Sequence, residues 1–338
     1  WVWDVAWSPN GTHILTASDH TALIWNAVTG ANTLTLTHTE WVWDVAWSPN
    51  GTHILTASDH TALIWNAVTG ANTLTLTHTE WVWDVAWSPN GTHILTASTD
   101  RTARVWDAVT GANTLTLAHT EWVWDAGWSP DATRILTTSN RTARVWDAAT
   151  GTNTLTLTHT DGVWDAAWSP DGTRILTGSQ DGTVHIWDAV TGANTLTLAH
   201  TAWVRVVAWS PDSAHILTGS EDGTARIWDA TTGNNTLTLA HTDWVRAVAW
   251  SPDGTHILTG SQDGTTRIWD ATTGEQVRFF ITALPEGECA VLTPDHTRVI
   301  GASPGAWQWL GRYAVHPGGA LERIPVEIDG PLPPLEHN

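Results

Sequence analysis

Residues 1–40 read WVWDVAWSPNGTHILTASDHTALIWNAVTGANTLTLTHTE, and residues 41–80 repeat this text letter for letter. Variants of the same text begin at Trp81, Trp122, Gly162, Trp203 and Trp244. Each copy contains four runs typical of β-strands, VWDVAW, HILTAS, ALIWNA and NTLTL, which are separated by turn sequences such as SPNG and TG. Four strands in each repeat of 40 or 41 residues are the content of one propeller blade. The sequence therefore predicts an all-β, closed β-propeller of four-stranded antiparallel blades.

The fifth repeat carries the pattern most completely, because His159 and Thr160 precede VWDAAWSPDGTRILTGSQDGTVHIWD. This string resembles the repeat of the WD-repeat β-propellers, and the resemblance covers residues 1 to about 284. Residues 289–312, CAVLTPDHTRVIGASPGAWQWLGR, look like a degenerate eighth copy, and a proline-rich tail follows them. We expect seven blades within residues 1–288 and favour an eighth blade within residues 289–338. The alternative is a seven-bladed ring with these last residues packed outside it.

The composition argues against several classes of partner. The chain has 14 basic and 34 acidic residues, a net charge of −20, which opposes binding to nucleic acid or to anionic membranes. Cys289 is the single cysteine, so no internal disulfide can form, and no apolar run approaches the roughly 18 residues of a membrane span. We therefore expect a cytoplasmic protein. Because the chain opens in mid-repeat without Met, we also expect it to be the C-terminal part of a longer polypeptide.

In WD-repeat proteins a His before the first strand, a Ser in the second, an Asp in the next turn and a Trp in the third form a hydrogen-bonded network. The resemblance places this network at His159, Ser179, Asp181 and Trp187, at His200, Ser220, Asp222 and Trp228, and at His241, Ser261, Asp263 and Trp269. A Ser-His-Asp set also suggests a hydrolase, but a set that recurs in several blades and ends on an indole satisfies buried polar groups instead. We expect no enzyme activity, no cofactor and no metal. The altered turns of repeats one, two and four predict weaker networks there.

In this family the loops before the first strand and between the second and third strands lie on one rim. The resemblance places two series there: Trp1, Trp41, Trp81, Trp122, Trp203 and Trp244, and then Trp3, Trp43, Trp83, Trp124, Trp164, Arg205 and Arg246. These side chains would either form an exposed collar that binds a partner or stack on one another as additional packing. We favour the binding interpretation.

Five aspartates recur where the first strand would line the channel: Asp4, Asp44, Asp84, Asp125 and Asp165. Repeats six and seven have Val206 and Ala247 at this position. A ring of carboxylates could hold a cation or attract a basic segment. We favour the alternative, in which each carboxylate is solvated or bonded to a neighbouring backbone amide, because a wide channel does not bring the oxygens together as calcium requires.

These patterns predict a non-enzymatic domain that binds a protein or peptide through the tryptophan-rich rim. The stretches ITALPEGECAVLTPD and AWQWLG resemble the C-terminal ends of bacterial signalling proteins in which a propeller follows a nucleotide switch, so we expect a sensor domain of a larger bacterial protein. A purely structural scaffold for assembly is the alternative, and a propeller enzyme ranks last. The oligomeric state stays open, because the identical repeats could exchange between chains.

Overall fold

The computed structural model describes residues 2–281 and four short segments, 290–292, 299–302, 311–315 and 321–325. Each repeat within residues 2–281 forms four consecutive antiparallel strands, and the strands follow chain order from the inner to the outer edge of their blade. The first strands of neighbouring blades contact one another around the ring, which identifies them as the innermost strands.

Blades one to four contain β1 (Asp4–Trp7), β2 (His13–Ser18), β3 (Thr21–Asn26), β4 (Asn32–Thr37), β5 (Val42–Trp47), β6 (His53–Ser58), β7 (Thr61–Asn66), β8 (Asn72–Thr77), β9 (Val82–Trp87), β10 (His93–Ser98), β11 (Thr102–Asp107), β12 (Asn113–Ala118), β13 (Asp125–Trp128), β14 (Arg134–Ser139), β15 (Thr142–Asp147) and β16 (Asn153–Thr158). Blades five to seven contain β17 (Val163–Trp168), β18 (Arg174–Ser179), β19 (Thr183–Asp188), β20 (Asn194–Ala199), β21 (Val204–Trp209), β22 (His215–Ser220), β23 (Thr224–Asp229), β24 (Asn235–Ala240), β25 (Val245–Trp250), β26 (His256–Ser261), β27 (Thr265–Asp270) and β28 (Gln276–Ile281).

The core lies between the blades rather than within any one of them. Successive side chains of a strand point to opposite faces of its sheet, so the Ile-Leu pair of each second strand serves two neighbours. Ile14 packs in a cluster shared with blade seven, whereas Leu15 packs in a cluster shared with blade two. In the described residues the same arrangement gives one apolar cluster at each junction between blades. Each blade therefore needs both of its neighbours to bury its two faces.

The ring closes by packing blade one against blade seven. Val2 and Val5 of the first repeat share a buried cluster with Ala247 and Leu258 of the seventh. A Cβ atom added at Gly260 would stand only 2.8 Å from Val2, so this junction uses a glycine to bring the two sheets together. Within residues 2–281, the four strands of each of the seven blades come from one continuous repeat.

The preference for an eighth blade is not confirmed. Two strands of the degenerate copy, β29 (Ala290–Leu292) and β30 (Val299–Ala302), extend the sheet of blade seven beyond β28 instead of entering the ring. The reason is that blade one already covers the apolar face of blade seven. A separate pair, β31 (Gly311–Val315) and β32 (Leu321–Pro325), forms a two-stranded ladder. This is the seven-bladed alternative, and the rest of the degenerate copy and the tail lie outside the described residues.

The turn between the first and second strands needs a left-handed residue. Five repeats place Gly there, for example Gly172 at φ +69°, but Ala132 and Ser213 adopt φ values of +59° and +60° at the equivalent points of blades four and six. In every blade, the backbone N–H of the residue at this position donates to the carbonyl of the serine three residues earlier, at 2.8 to 2.9 Å. Because a side chain is strained in this conformation, blades four and six carry a local cost that the other blades lack.

Replacing either residue with glycine should relieve this strain. We expect Ala132→Gly and Ser213→Gly each to raise the free energy of unfolding by about 1 kcal/mol, and Gly172→Ala to lower it by a similar amount. Urea denaturation of the intact chain measures all three. Equal midpoints for Ala132→Gly and the unaltered chain would show that the turn of blade four is not strained.

Candidate functional site

The outer series comprises the tryptophans that precede the first strand of their blades. Four of them expose a large part of their surface, Trp41 by 40%, Trp81 by 47%, Trp122 by 51% and Trp203 by 41%, whereas Trp244 is half-buried. Trp1 lies outside the described residues. The five described members belong to loops at the rim, the end of each blade where the second strand turns into the third. The rim therefore presents exposed indoles on several blades.

The inner series comprises Trp3, Trp43, Trp83, Trp124 and Trp164, which lie two residues further along each repeat and are half-buried. Consecutive members contact one another across every junction from blade one to blade five, with ring centroids 4.9, 4.5, 5.4 and 4.6 Å apart. These separations and their tilted or edge-on angles are those of favourable aromatic pairs. The inner indoles therefore act as packing between blades.

Arginines continue the inner series in the last two blades. The guanidinium of Arg205 lies 4.3 Å from the ring centroid of Trp164, and that of Arg246 lies 4.5 Å from Trp3. Arg205 also pairs with Glu221, whereas Arg246 donates two hydrogen bonds to the neutral amide oxygen of Gln262, at 3.1 and 2.5 Å. Burial lowers the pKa of Arg246 to about 10, and the charge of Arg205 adds to this effect.

The outer tryptophans rest on the inner series. Trp81 lies 6.3 Å from Trp43 of the preceding blade and 6.2 Å from Trp83 of its own blade. A groove of about 720 Å³ opens between Trp81 and Trp122, and its lining includes Trp83, Glu80 and the exposed Arg101. Asp100 also belongs to the lining, so this part of the rim combines apolar walls with two acidic side chains and one basic side chain.

The five aspartates connect each blade to the next. The carboxylate of Asp4 accepts the backbone N–H of Val45 in blade two at 3.1 Å, and that of Asp84 accepts the N–H of Ala126 in blade four at 2.9 Å. Asp44, Asp125 and Asp165 make the equivalent contacts at 2.8, 3.0 and 2.5 Å. Each of the five carboxylates thus accepts a backbone amide of the next blade. Blades six and seven have no aspartate to make this contact, because Val206 and Ala247 occupy the position.

Burial is the main cause that raises the pKa values of the aspartate ring. The pKa values of Asp4, Asp84 and Asp125 are well above the usual range, and the charges of neighbouring aspartates add to the effect of burial. Burial also raises the pKa of Asp44, and it raises that of Asp165 to about 6. The folded ring therefore holds protons at pH values where an isolated aspartate has lost them. Its contribution to stability falls as the pH rises from about 4 through the raised pKa values.

Removing one charge from the ring should stabilise the protein at high pH. Asp84→Asn keeps an oxygen that can accept the N–H of Ala126, so we expect the free energy of unfolding to rise by about 1 kcal/mol or more near pH 8 and to change little near pH 3, below the unfolded pKa of an aspartate. Asp84→Ala removes the acceptor as well and should destabilise at both pH values. Urea titrations at the two pH values measure this, and a destabilising Asp84→Asn at high pH would contradict a charge-strained ring.

The buried network in blades five to seven differs from the sequence interpretation in one member. In blade seven Trp269 donates to the hydroxyl of Thr259 at 2.8 Å, this hydroxyl bonds Nε2 of His241 at 2.7 Å, and Nδ1 of His241 bonds Asp263 at 3.0 Å. The interpretation placed Ser261 in this chain. The structure instead directs its hydroxyl to the carbonyl of Asp243 at 3.2 Å, so the serine fixes the turn to the loop.

The same correction applies to the other two blades. Thr177 stands between His159 and Trp187, at 2.6 and 2.8 Å, where Ser179 was expected. Thr218 stands between His200 and Trp228, at 2.7 and 2.9 Å, where Ser220 was expected. The aspartates Asp181 and Asp222 bond the histidines at 3.3 and 2.9 Å. Blade three has the same set, His78, Thr96, Asp100 and Trp106, which the sequence interpretation missed although STDRTARVW retains the aspartate.

The shortened turns leave the networks of blades two and four incomplete. Neither ring nitrogen of His38 has a hydrogen-bond partner among the described residues, and Nδ1 of His119 also has none. Burial lowers the pKa of both histidines to about 4. In the complete blades burial also lowers the pKa of the histidine, as for His241, although Asp263 opposes the shift. Neutral buried histidines contribute stability above their unfolded pKa, which is lost as the pH falls below about 6.5.

The network cannot supply a catalytic nucleophile in this geometry. The hydroxyl of Thr259 is fully buried, accepts from an indole and is occupied by His241. Burial would raise the pKa of Asp263, but hydrogen bonds from His241 and Thr265 hold it well below its usual range. An ionised aspartate, an oriented imidazole and a satisfied hydroxyl form a closed set of buried bonds, so the role of this network is structural.

Removing the bridging hydroxyl should cost more in a complete network than in an incomplete one. We expect Thr259→Val to lower the free energy of unfolding by about 2 kcal/mol, because both Trp269 and His241 lose a partner. Thr56→Val in blade two, where only Trp65 donates to the hydroxyl, should cost about 1 kcal/mol. Denaturant titration near neutral pH compares them, and equal losses would show that the histidine bond contributes nothing.

Within the part of the chain that the structure describes, no group of three or more His, Cys, Asp or Glu side chains is arranged to hold a metal ion. Nor does that part contain a helix long and apolar enough to cross a membrane.

Two protein-family models match the chain. The model described as "IFT122 first beta-propeller" matches residues 41–195 and 122–293, and the model described as "WD domain, G-beta repeat" matches residues 1–26. A search of curated proteins finds no match. WD-repeat propellers generally serve as scaffolds that bind proteins or peptides and are typically not enzymes. The repeat pattern, the seven-bladed ring and the family-model matches together show that this chain belongs to the WD-repeat β-propellers.

Proposed function

We propose that this chain binds a protein or an extended peptide on the rim that carries Trp41, Trp81, Trp122 and Trp203. The observation that carries the proposal is the exposure of these four indoles, between 40% and 51%, on one end of the ring. Large aromatic side chains held partly in water are the residues that most often dominate the energy of protein interfaces. A recognition surface accounts for this exposure without further assumptions.

The inner tryptophans hold the outer tryptophans in place before a partner binds. Trp41 contacts both Trp3 and Trp43, at 5.9 and 5.4 Å, and Trp122 contacts Trp124 at 5.5 Å. An indole that already rests on a packed neighbour loses little conformational freedom when a partner covers its other face. The roles of the two series therefore separate: the inner indoles support, and the outer indoles bind.

The charges beside the outer tryptophans favour a partner with basic side chains where it contacts Trp41, Trp81 and Trp122. Glu40, Glu80 and Glu121 directly precede Trp41, Trp81 and Trp122, and all three glutamates are exposed. A cation that lies on an indole face next to a carboxylate gains both cation–π and Coulomb attraction. Within the chain, Arg205 already makes this double contact with Trp164 and Glu221.

The finer hypothesis is that this rim is the sensing part of a larger bacterial signalling protein. Its support is the resemblance of residues 281–295 and 306–311 to the ends of such proteins, and most of these residues lie outside the described part of the chain. In that arrangement, occupation of the rim would be the signal that the rest of the polypeptide reads.

The test separates the rim from the opposite end of the ring. Peptides are selected from a random phage-displayed library on the intact chain and then measured by fluorescence polarisation against Trp81→Ala and Trp122→Ala. We expect each substitution to weaken binding by about 2 kcal/mol, roughly thirtyfold, as for the central aromatic residues of other interfaces.

The matched controls are Val68→Ala and Val109→Ala. These valines are 84% and 86% exposed in turns at the other end of blades two and three, so their loss should leave binding unchanged. Peptides that bind all four variants equally, or a library that yields no binder, would reject the rim and favour a structural scaffold without a recognition surface.

A further inference from the structure

The two arginines at the rim have hydrogen-bond partners of different charge. Arg205 and Arg246 occupy equivalent positions in blades six and seven, and each has a partner in the following turn. That partner is a carboxylate for Arg205, whose Nε and Nη2 both donate to Glu221. For Arg246 it is the uncharged Gln262, which receives the equivalent two hydrogen bonds. The two sites thus share one geometry and differ by one negative charge.

Arg246 has no ion-pair partner among the described residues. Glu221 is engaged by Arg205, and Asp243 directs its carboxylate to the backbone N–H of Trp244 at 2.8 Å. Burial, reinforced by the charge of Arg205, makes the charged form of Arg246 less stable, whereas Glu221 and Asp243 act in the opposite direction. A half-buried guanidinium has five N–H donors, and only Nε and Nη2 have acceptors in the described residues.

Two indoles bound the space around this guanidinium. Its central carbon lies 4.5 Å from the ring centroid of Trp3 and 5.2 Å from that of Trp244. Apolar walls beside a cation lower the local dielectric and so strengthen its attraction for an anion. A carboxylate with its two oxygens directed at the free N–H groups would meet the planar donor arrangement that arginine offers.

We propose that Arg246 binds a carboxylate of the partner, either an acidic side chain or a chain terminus, and thereby fixes the partner's orientation on the rim. The inference rests on the proposed function, since it names the chemistry of one part of that partner. The distribution of charge along the rim supports it, because Glu40, Glu80 and Glu121 repel acidic groups beside Trp41, Trp81 and Trp122, whereas Arg246 attracts them. An acidic residue is accepted beside Arg246 and disfavoured on blades two to four, which sets the register of binding.

Exchanging the partners of the two arginines gives a matched pair of substitutions. Gln262→Glu should give blade seven the internal ion pair of blade six and so block the carboxylate site. Glu221→Gln should do the reverse and open Arg205 to an external anion. Both changes are isosteric, so the packing of the ring should be retained.

The probe is N-acetyl-aspartyl amide, and N-acetyl-asparaginyl amide serves as its uncharged counterpart. Titration is followed by the arginine Nε–Hε signals in NMR spectra of the intact chain, and the signal of Arg246 is assigned by its absence in Arg246→Lys. We expect a saturable shift of this signal with the aspartyl probe only. The affinity should fall by about tenfold or more in Gln262→Glu, because a charge-assisted hydrogen bond is lost. In Glu221→Gln the signal of Arg205 should begin to respond.

Equal shifts with both probes, an unchanged affinity in Gln262→Glu, or no shift at all would overturn the proposal. Because the titration needs no protein partner, these outcomes leave the peptide-binding rim itself to be judged by the tryptophan variants. Binding of selected peptides that is lost in Trp81→Ala but unaffected by Gln262→Glu would likewise retain the rim and reject the carboxylate site.

Discussion

Packing between adjacent blades is the interaction on which the rest of this structure depends. Each second strand points Ile to one neighbour and Leu to the other, as Ile14 and Leu15 do, so a single blade would leave one apolar face in water. The aspartate contacts, the contacts between inner indoles and the cation–π contacts of Arg205 with Trp164 and of Arg246 with Trp3 all lie at junctions between blades. Their geometry is therefore set by the distance and angle at which neighbouring sheets meet.

The polar contacts across the ring divide it into two parts. From blade one to blade six a carboxylate accepts an amide of the next blade, and from blade one to blade five an indole also lies on the next indole. At the closure between blades seven and one the aspartate is absent, and Arg246 lies on Trp3 instead. The closing junction thus relies on apolar packing and a cation–π contact. The aspartate ring makes the folded protein less stable as the pH rises, whereas the buried histidines make it less stable as the pH falls. Together they restrict the pH range of highest stability.

The repeat alone was sufficient to predict the architecture, because four strand-like runs in each of seven copies allow few other solutions. It did not predict the fate of the degenerate copy. The similarity of LTPDHTRVIGAS to the blade pattern indicates two strands, but which sheet they join depends on whether the face of blade seven is still free. Strand periodicity likewise could not choose between Thr259 and Ser261, since both hydroxyls lie two residues apart on one face. Only the measured distances identify the threonine.

The rim could be located from the sequence, but its division into two series could not. All its members before blade six are tryptophans except Gly162, and residue type does not reveal whether an indole is covered by its neighbour. Similarly, the sequence placed Arg205 and Arg246 at equivalent positions of one series and did not distinguish them. The structure distinguishes them through Glu221 and Gln262, whose positions in the turns had no apparent connection with the arginines in the sequence.

The identity of residues 1–40 and 41–80 has a genetic consequence. The surface that blade one offers to blade two is the same sequence that blade two offers to blade three. Recombination between these copies could delete or duplicate one of them without creating any junction that the protein does not already contain. What would restrict such events is the circumference of the ring, because every added or lost blade changes the angle at which all the sheets must meet.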